Sequence, residues 1–337
     1  MTSVDNTTEA GPVADASIAQ TGSASSSLHI ALFIGLAALI LALPSLGFYP
    51  FVLAEVLCFA LFACAFNMMV GFGGLLSFGH AMFFGFASYI AAHTAKSGFL
   101  GLPPFSPELA ILTGAAVAAV LGFVTGALAI RRQGIYFSMI TLALAQMVYF
   151  FSLQAPFTGG ENGIQAVPRG AALGIFDLSN DKTLYYFVAA IFMAGFLLIY
   201  RIIHSPFGQV LKAIRDNEPR AISLGYRTAR YKLVIFILSA TLAGVAGGTK
   251  AIVAQLATLT DVHWSMSGEV ILMTLVGGMG TIFGPVVGAI VIVSIQNYLN
   301  NLGAWVTIVQ GTIFVICVLL FKEGIVGVFS RAIKRPL

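Results

Sequence analysis

Long uninterrupted apolar runs constrain the fold of this chain more than any other feature of its sequence. The run from Leu109 to Ile130, for example, contains no charged residue. An α-helix needs about 20 apolar residues to cross the hydrocarbon core of a bilayer. The runs do not alternate apolar with polar residues, as the strands of a membrane β-barrel would. We therefore predict an all-α fold, a polytopic transmembrane helical bundle in which each helix makes its own backbone hydrogen bonds.

The composition agrees with a chain that lies mostly in lipid. Hydrophobic residues make up 58% of the 337 residues, charged residues make up 9%, and the mean hydropathy is +0.95. A typical soluble domain is about 25% charged, so a soluble fold is excluded. The three cysteines lie inside apolar runs without metal-ligand spacing, and we interpret them as small core residues. They are Cys58, Cys64 and Cys317.

By length, about ten spans are predicted within a membrane domain of residues 28–325. The eighth is short, and the glycines of 277–280 with Pro285 leave open whether 267–301 makes two full spans or includes a re-entrant segment. Residues 1–27 carry three acids and no Lys or Arg, so we expect a disordered cytoplasmic tail and not a signal peptide. The spans are placed near 28–46, 51–70, 74–95, 109–130, 134–155, 183–203, 231–254, 267–280, 283–301 and 303–321.

The distribution of Lys and Arg predicts the orientation. If the N-terminus is cytoplasmic, 13 of the 17 basic residues fall on the cytoplasmic side, including the basic C-terminal tail 326–337. This asymmetry predicts an N-in, C-in chain with an even number of spans. The net charge of +4 therefore reflects membrane orientation, and no nucleic-acid partner is expected.

Two loops between spans are long enough to have structure of their own. The turn-rich loop (residues 156–182) is predicted outside the membrane. The basic loop (residues 205–230) is predicted in the cytoplasm, with Ser205 as a helix N-cap before a proline and a second helical turn that starts at Pro219 and stops at Gly225. Such an amphipathic segment could lie on anionic lipid or dock into another protein.

Five segments follow one another in a distinctive order: 74–81 (GLLSFGHA), 134–137 (GIYF), 158–164 (TGGENGI), 205–232 and 276–285 (VGGMGTIFGP). As a set they resemble the LivM-type permeases of branched-chain amino acid ABC importers. The resemblance covers residues from about 50 to 325. Glu218, Ala221 and Gly225 are similar in spacing to the motif by which such permeases contact an ATPase, although Pro219 departs from the usual pattern.

The resemblance implies a chain that works with partners in a bacterial inner membrane. These are a second homologous permease subunit, two ATPase subunits that carry the ATP and Mg, and a periplasmic substrate-binding protein. This chain itself would hold no cofactor and no metal. The residues implied in ATPase coupling are Arg215, Asp216, Glu218, Ala221 and Gly225. The candidates for contact with the binding protein are Thr158, Gly159, Gly160, Glu161 and Asn162.

Polar groups and glycines inside the spans supply further candidates. Buried polar groups are costly in lipid and usually face the bundle or a water-filled path, so we expect Asn67, Ser77, His80 and Gln146 near the substrate path. For His80, a hydrogen bond to a freed backbone carbonyl is an equal alternative. Glycines at four-residue spacing indicate close helix packing, within the chain or against the second permease. They are Gly122, Gly126, Gly280, Gly284 and Gly288.

The motifs of enzymes are missing from the sequence. It contains no GxxxxGK[ST] phosphate loop, no HExxH and no GxSxG, so we expect a transporter subunit without an ATPase site. The resemblance to the LivM-type permeases implies a branched-chain amino acid as the solute. Alternatives are urea, short amides or other amino acids carried by a related ABC permease and, more distantly, a stand-alone secondary carrier. Whether the two permease chains are identical stays open.

Overall fold

A computed structural model of the chain describes residues 33–98, 103–172, 174 and 176–299, together with 305, 308–309, 311–312, 315, 319 and 324–327. Two compact units are present, Met1–Leu46 and Gly47–Leu337. In the first unit, Phe33–Ser45 forms a short apolar helix, α1, whose last residues belong to the 3-10 turn Leu43–Leu46. The predicted tail 1–27, most of the tail 326–337 and most of the predicted span 303–321 lie outside the described residues.

The second unit is a helical bundle, as predicted. Five of its described helices are long and apolar enough to cross a membrane, while α3 is less apolar and α11 and α12 are shorter. The chain is therefore an all-α membrane bundle. The helices are α2 (Pro50–Val70), α3 (His80–Ser97), α4 (Pro107–Ala129), α5 (Ile135–Gln154), α6 (Asp181–His204), α7 (Pro206–Asp216), α8 (Glu218–Ser223), α9 (Thr228–Ala254), α10 (Leu259–Val262), α11 (Trp264–Gly277) and α12 (Gly284–Leu299).

Helix α9 is central, because it packs along α2, α3 and α4. Small residues allow these close approaches. A Cβ atom added at Gly122 would lie 2.6 Å from the Ala240 Cβ, and one at Gly126 would lie 2.8 Å from a ring carbon of Phe236. Two of the predicted packing glycines thus lie at the α4–α9 contact within the chain.

The third span begins later than the sequence predicted. Helix α3 starts at His80, and residues 71–79 form a non-helical connection instead of the first turn of a span from residue 74. Gly74 has φ +68°, which disfavours continuation of a right-handed helix. The amides of Gly73 and Gly74 instead close the end of α2 by donating to the carbonyls of Met69 and Val70.

Helices α11 and α12 form a tight hairpin around the Gly-rich break. They contain 14 and 16 residues, or about 21 and 24 Å at 1.5 Å per residue, so each is shorter than a 30 Å hydrocarbon core. Gly280 lies in the turn with φ +80°. A Cβ at Gly288 would lie 1.8 Å from the Met273 carbonyl oxygen, and one at Gly284 would meet Gly278. The other three predicted packing glycines thus belong to this hairpin.

Two short antiparallel ladders, absent from the prediction, lie outside the helices. Strand β1 (Ile164–Gln165) of the turn-rich loop pairs with β4 (Leu256–Ala257), which follows α9. Strand β2 (Ala171–Ala172) pairs with β3 (Phe176–Asp177) within the same loop. Two-residue strands carry no hydrophobic period, which explains why the sequence did not reveal them.

Candidate functional site

The basic loop forms two short helices, which confirms the pattern predicted from its sequence. Helix α7 begins after Ser205, whose hydroxyl accepts a hydrogen bond from the Gly208 amide at 3.3 Å. Helix α8 begins after Asn217, whose side chain accepts from the Arg220 amide at 3.0 Å. Gly225 has φ +88° and ends the second helix. Caps and a stop residue therefore give this loop a defined shape.

Side chains anchor the basic loop to the bundle. Arg215 donates to the carbonyl of Gly71 at the end of α2 and also pairs with the neighbouring Asp216 at 2.9 Å. Glu218 forms an ion pair of 2.6 Å with Lys232, near the start of α9. Both coupling candidates, Arg215 and Glu218, thus engage the bundle with their charged groups. The two side chains are only 9% and 19% exposed, so removing either partner would leave a poorly solvated charge without its counter-ion.

The basic side chain of Lys212 also lies close to the bundle. Its Nζ atom is 5.5 Å from the centre of the Phe72 ring, within cation–π range. Partial burial, together with the nearby charge of Arg215, lowers the pKa of Lys212 from its usual value. Lys212 and Arg215 therefore fasten α7 against residues 71–72.

An apolar patch remains exposed on the other side of α8. Ile222 and Leu224 are 56% and 69% exposed, and Tyr226 is also exposed. Ala221 is buried beneath the patch, and Gly225 faces open space. Ala221 and Gly225 were predicted from the sequence as coupling residues, but the two large side chains between them were not. Their position within a polar loop was the signal that could have identified them.

Asn67 joins α2 to the break between α11 and α12. Its side-chain amide donates to the Thr281 carbonyl at 2.7 Å, and its oxygen accepts from the Gly280 amide at 2.9 Å. Both polar atoms of the Asn67 amide therefore hydrogen-bond to backbone groups that lie outside the helices, between α11 and α12. A Cβ at Gly71 would lie 2.6 Å from the Gly280 nitrogen, so the two segments touch backbone to backbone.

His80 is fully buried at the start of α3. Its Nε2 atom lies 2.8 Å from the Ser239 hydroxyl, which itself donates to the Ala65 carbonyl at 2.6 Å. The imidazole therefore reaches a backbone carbonyl through a serine and not directly. Ser77 is also buried, and its hydroxyl accepts from the Gly79 amide. Three aromatic rings surround the imidazole, those of Phe66, Phe83 and Phe236.

The remaining path candidate, Gln146, is half-buried on α5. It lies on a different helix from Asn67 and His80, and no described contact joins the three side chains. Cys58 and Cys64 are both buried free thiols, as predicted, whereas Cys317 lies outside the described residues. Within the described part of the chain, no three His, Cys, Asp or Glu residues cluster as metal ligands would.

The turn-rich loop places its predicted docking residues on two consecutive 3-10 turns. Thr158 is buried, and its hydroxyl interacts with the carbonyls of Ser152 and Ala155, each at 2.6 Å. Glu161 and Asn162 are exposed. Gly159 and Gly160, between them, have φ of +77° and +62°. Of the five candidates, the acidic and amide side chains are therefore the accessible ones.

A buried ion pair at the same end of the bundle was not singled out from the sequence. Lys250 Nζ lies 2.8 and 2.7 Å from the two carboxylate oxygens of Asp261. The two side chains are only 10% and 3% exposed. Because a lysine within a span and an aspartate in the next connection are not periodic neighbours, no spacing rule pointed to the pair.

These features define a multi-pass membrane protein, with a structured loop at one end that presents an apolar patch. The chain belongs to the family described as "Branched-chain amino acid transport system / permease component", whose model matches residues 48–318. It is thus a transmembrane subunit of the ABC transporter class, as the LivM-type resemblance predicted.

Curated relatives agree with this assignment. The chain is 25% identical over 291 residues to the high-affinity branched-chain amino acid transport system permease protein LivM of Escherichia coli K12. The aligned region covers 80% of this chain and 67% of the relative. It is 30% identical over 198 residues to the ribose import permease protein RbsC of Bacillus subtilis, or 53% and 58% of the two chains. A probable LivM of Methanocaldococcus jannaschii is 26% identical over 260 residues, or 71% and 73%. No solved structure matches the chain.

Proposed function

We propose that this chain is one pore-forming permease of an ABC importer in a bacterial inner membrane, with about ten spans and both termini in the cytoplasm. The family assignment supports the transporter class. The concentration of Lys and Arg on one side of the predicted spans supports the orientation. In this arrangement the basic loop faces the cytoplasm and the turn-rich loop faces the periplasm.

The exposed apolar patch on α8 is the observation that carries the coupling role. A short helix that exposes Ile222, followed at once by the exposed Leu224, is suited to insert into a groove of a partner, since buried apolar anchors dominate interface energies. Arg215 and Glu218 would transmit the movement of that helix to α2 and α9 through their contacts with Gly71 and Lys232. Asp216, Ala221 and Gly225 would shape the helix and its end. The partner would be one of two ATPase subunits, which hold the ATP and Mg.

The proposed solute is a branched-chain amino acid. Support comes from the names of the LivM relatives in two organisms. A relative named for ribose import shows that similar permeases differ in solute. Urea, short amides and other amino acids are therefore the alternatives to test. Solute would be delivered by a periplasmic binding protein to the turn-rich loop, where Glu161 and Asn162 are the exposed candidates for contact.

The proposed path for the solute runs beside the elements that Asn67, Ser77 and His80 hold together. Asn67 would fix the break at Gly280–Thr281, and His80 would fix the start of α3 against α9. Gln146 is the path candidate with a partly accessible side chain. A second permease chain, identical or homologous, would complete the path.

Reconstitution with the two ATPases and the binding protein in proteoliposomes tests the function. We expect ATP-driven uptake of Leu, Ile and Val, and titration of the binding protein with these amino acids, urea and ribose identifies the solute. Uptake that needs no ATPase but collapses with an uncoupler would instead indicate a secondary carrier. Preferential binding of urea or ribose would replace the proposed solute but retain the class.

A double variant, Ile222→Asp with Leu224→Asp, tests the coupling patch. We expect ATPase stimulation and uptake to fall about tenfold or more, because losing two apolar anchors costs more than 1.4 kcal/mol of docking energy. Ser223→Asp, an exposed neighbour on the same helix, is the matched control and should retain uptake. Normal uptake by the double variant, at normal abundance in the membrane, would refute the assignment.

A further inference from the structure

The ion pair between Lys250 and Asp261 has no role in the function proposed so far. It joins the end of α9 to a connection that we call the crossover segment, residues 255–263, which runs from α9 to α11. Both oxygens of the carboxylate contact the ammonium group, and both side chains are almost completely buried. A buried pair of this kind often adds little net stability, because desolvation of both charges offsets their attraction. The Asp261 carboxylate also accepts from the Thr258 amide in the capping box of α10, so it fixes the shape of the crossover segment as well as its attachment to α9.

The crossover segment connects directly to the turn-rich loop. Strand β4 pairs with β1 of that loop, and the Val167 amide donates to the Gln255 carbonyl at 3.1 Å. On its other side, α10 lies against α3 so closely that a Cβ at Gly85 would be 2.5 Å from the Val262 nitrogen. Asp261 thus sits in a segment held between the turn-rich loop and the bundle.

A second arrangement for Asp261 is available nearby. Tyr89 on α3 is fully buried, and its hydroxyl has no hydrogen-bond partner among the described residues. It lies one helical turn from Gly85, where a Cβ atom would be 2.5 Å from the carbonyl carbon of Asp261, so it is on the face of α3 that meets α10. A buried donor without a partner costs free energy. If the crossover segment shifted, the carboxylate could exchange the Lys250 ammonium for the Tyr89 hydroxyl without losing all of its hydrogen bonds.

The same face of α9 carries the ion pair of the basic loop. Lys232 and Lys250 are 18 residues apart, which is five turns at about 3.6 residues per turn, so their side chains leave the helix on one side. Lys232 pairs with Glu218 of the basic loop, and Lys250 pairs with Asp261 of the crossover segment. Helix α9 therefore contacts both the basic loop and the crossover segment through charged side chains.

We propose that Lys250, Asp261 and Tyr89 are positioning residues for translocation. The Lys250–Asp261 pair holds the crossover segment closed over the turn-rich end of the bundle. A protein docked on the turn-rich loop pulls that segment through the β1–β4 ladder, and Asp261 then moves from Lys250 to Tyr89. This inference rests on the proposed function, because it requires the turn-rich loop to receive the solute-delivering partner.

Tyr89→Phe is the most discriminating variant. Removing a hydroxyl that has no partner should leave the stability of the closed protein unchanged or raise it. We nevertheless expect uptake driven by the binding protein to fall at least about fivefold, because the released carboxylate has lost its second partner. Ser88→Ala removes a neighbouring buried hydroxyl that is also unpartnered, and it serves as the matched control with normal uptake. Normal uptake by Tyr89→Phe would overturn the proposal.

Cys58 reports directly on whether the crossover segment opens. Its thiol is buried next to Phe59, whose ring stacks on Phe84 where α3 touches Gly247 of α9, whereas Cys64 lies six residues further along α2 and serves as the control. In a background with Cys317→Ser, an impermeant maleimide added from the turn-rich side should label Cys58 at least about tenfold faster in Lys250→Met than in the parent. Labelling of Cys64 should stay slow. Equal labelling of Cys58 in both proteins would count against a closing role for the pair.

The double variant Lys250→Met with Asp261→Leu separates a positioning role from a structural one. Apolar replacement of a buried ion pair usually preserves stability, so this protein should fold and keep Cys58 protected. We expect its uptake to stay well below that of the parent, because an apolar contact between residues 250 and 261 cannot be exchanged for a hydrogen bond to Tyr89. Recovery of parental uptake would refute the proposal. If the parent itself shows no uptake with ATPases and binding protein present, the proposed function has failed and not only this inference.

Discussion

The basic loop and the turn-rich loop lie at opposite ends of α9 and are fastened to the bundle in different ways. Side chains anchor the basic loop, chiefly Arg215 on Gly71 and Glu218 on Lys232. The turn-rich loop is also held by side chains, such as Lys96 on Gln165 and Arg169 on Val253, but in addition it has a backbone attachment, the β1–β4 ladder and the bond from Val167 to Gln255. A side-chain anchor can be pulled and can re-form, whereas a backbone ladder transmits displacement directly. The two loops thus differ in that only the turn-rich loop has a backbone ladder to the segment after α9.

A matched pair of glycine variants should give the largest contrast between the loops. Gly163→Ala places a methyl group 2.2 Å from the Ala257 carbonyl oxygen at φ +65°, whereas Gly225→Ala at φ +88° meets open space. We expect Gly163→Ala to lower the free energy of unfolding by about 3 kcal/mol or more and Gly225→Ala by only about 1 kcal/mol. Unfolding midpoints in detergent measure both. Equal losses would mean that the β1–β4 ladder does not hold the turn-rich loop.

Breaking one ion pair at each end of α9 should give a smaller difference in stability between the two loops. Lys232→Met leaves Glu218 without its partner in a partly buried site, and we expect a loss of about 2 kcal/mol in stability, with weaker ATPase stimulation. Asp181→Asn removes the partner of Arg169, but Asp181 is mostly exposed, so about 0.5 kcal/mol is expected. Detergent unfolding and ATPase assays on both variants test this order. A larger loss for Asp181→Asn would reverse the comparison.

Removing the N-cap of a helix next to each loop should have a smaller effect on stability. Asn217 caps the six-residue α8, and Asn180 caps the 24-residue α6, each through one backbone amide. Alanine at either position should cost about 1 kcal/mol of local stability. Because α8 is so short, only Asn217→Ala should also reduce ATPase stimulation, by a few-fold. Hydrogen exchange across 217–225 provides the measurement, and unchanged exchange would show that the cap is dispensable.

The smallest effect concerns acid pH at the turn-rich loop. Hydrogen bonds from the Ser179 amide and hydroxyl hold the pKa of the exposed Asp177 below its usual value. The ionised carboxylate therefore stabilises the turn above the ordinary aspartate pKa of about 4, and this contribution disappears as the pH falls through the lowered folded value. Proteolytic nicking near residue 178 should rise at that low pH in the parent. Asp177→Asn should show the same nicking rate across that range.

Part of this organisation was predictable from the sequence. The helices α4, α5, α6 and α9 followed from apolar length, and the two helices of the basic loop followed from Ser205, Pro219 and Gly225. Apolar length, caps and stop residues act within one segment, so the residues that cause each of these helices lie in or next to the helix itself. The start of α3 at His80 was missed, because the turn at 71–79 is fixed in part by contacts with the distant Gly280 and Arg215.

The candidate sites were predicted less completely than the helices. Asn67 and His80 were selected as costly polar groups, but their partners, Thr281 and Ser239, lie more than 150 residues away in the sequence. The patch at Ile222 and Leu224 was passed over in favour of the motif residues beside it. Side-chain exposure is a property of the packed protein, and a motif does not contain it.

The sequence by itself determined that this protein lies in a membrane, because its uncharged apolar runs are long enough to span the hydrocarbon core. It also determined the local form of each long helix, because backbone hydrogen bonds in lipid must be made within the segment. Only the tertiary structure decided which polar groups meet. Lys250 of α9 meets Asp261 of α10, and Gly85 lets α3, which carries Tyr89, approach α10 backbone to backbone. Pairing of that kind depends on distances across the bundle, which no spacing along the chain encodes.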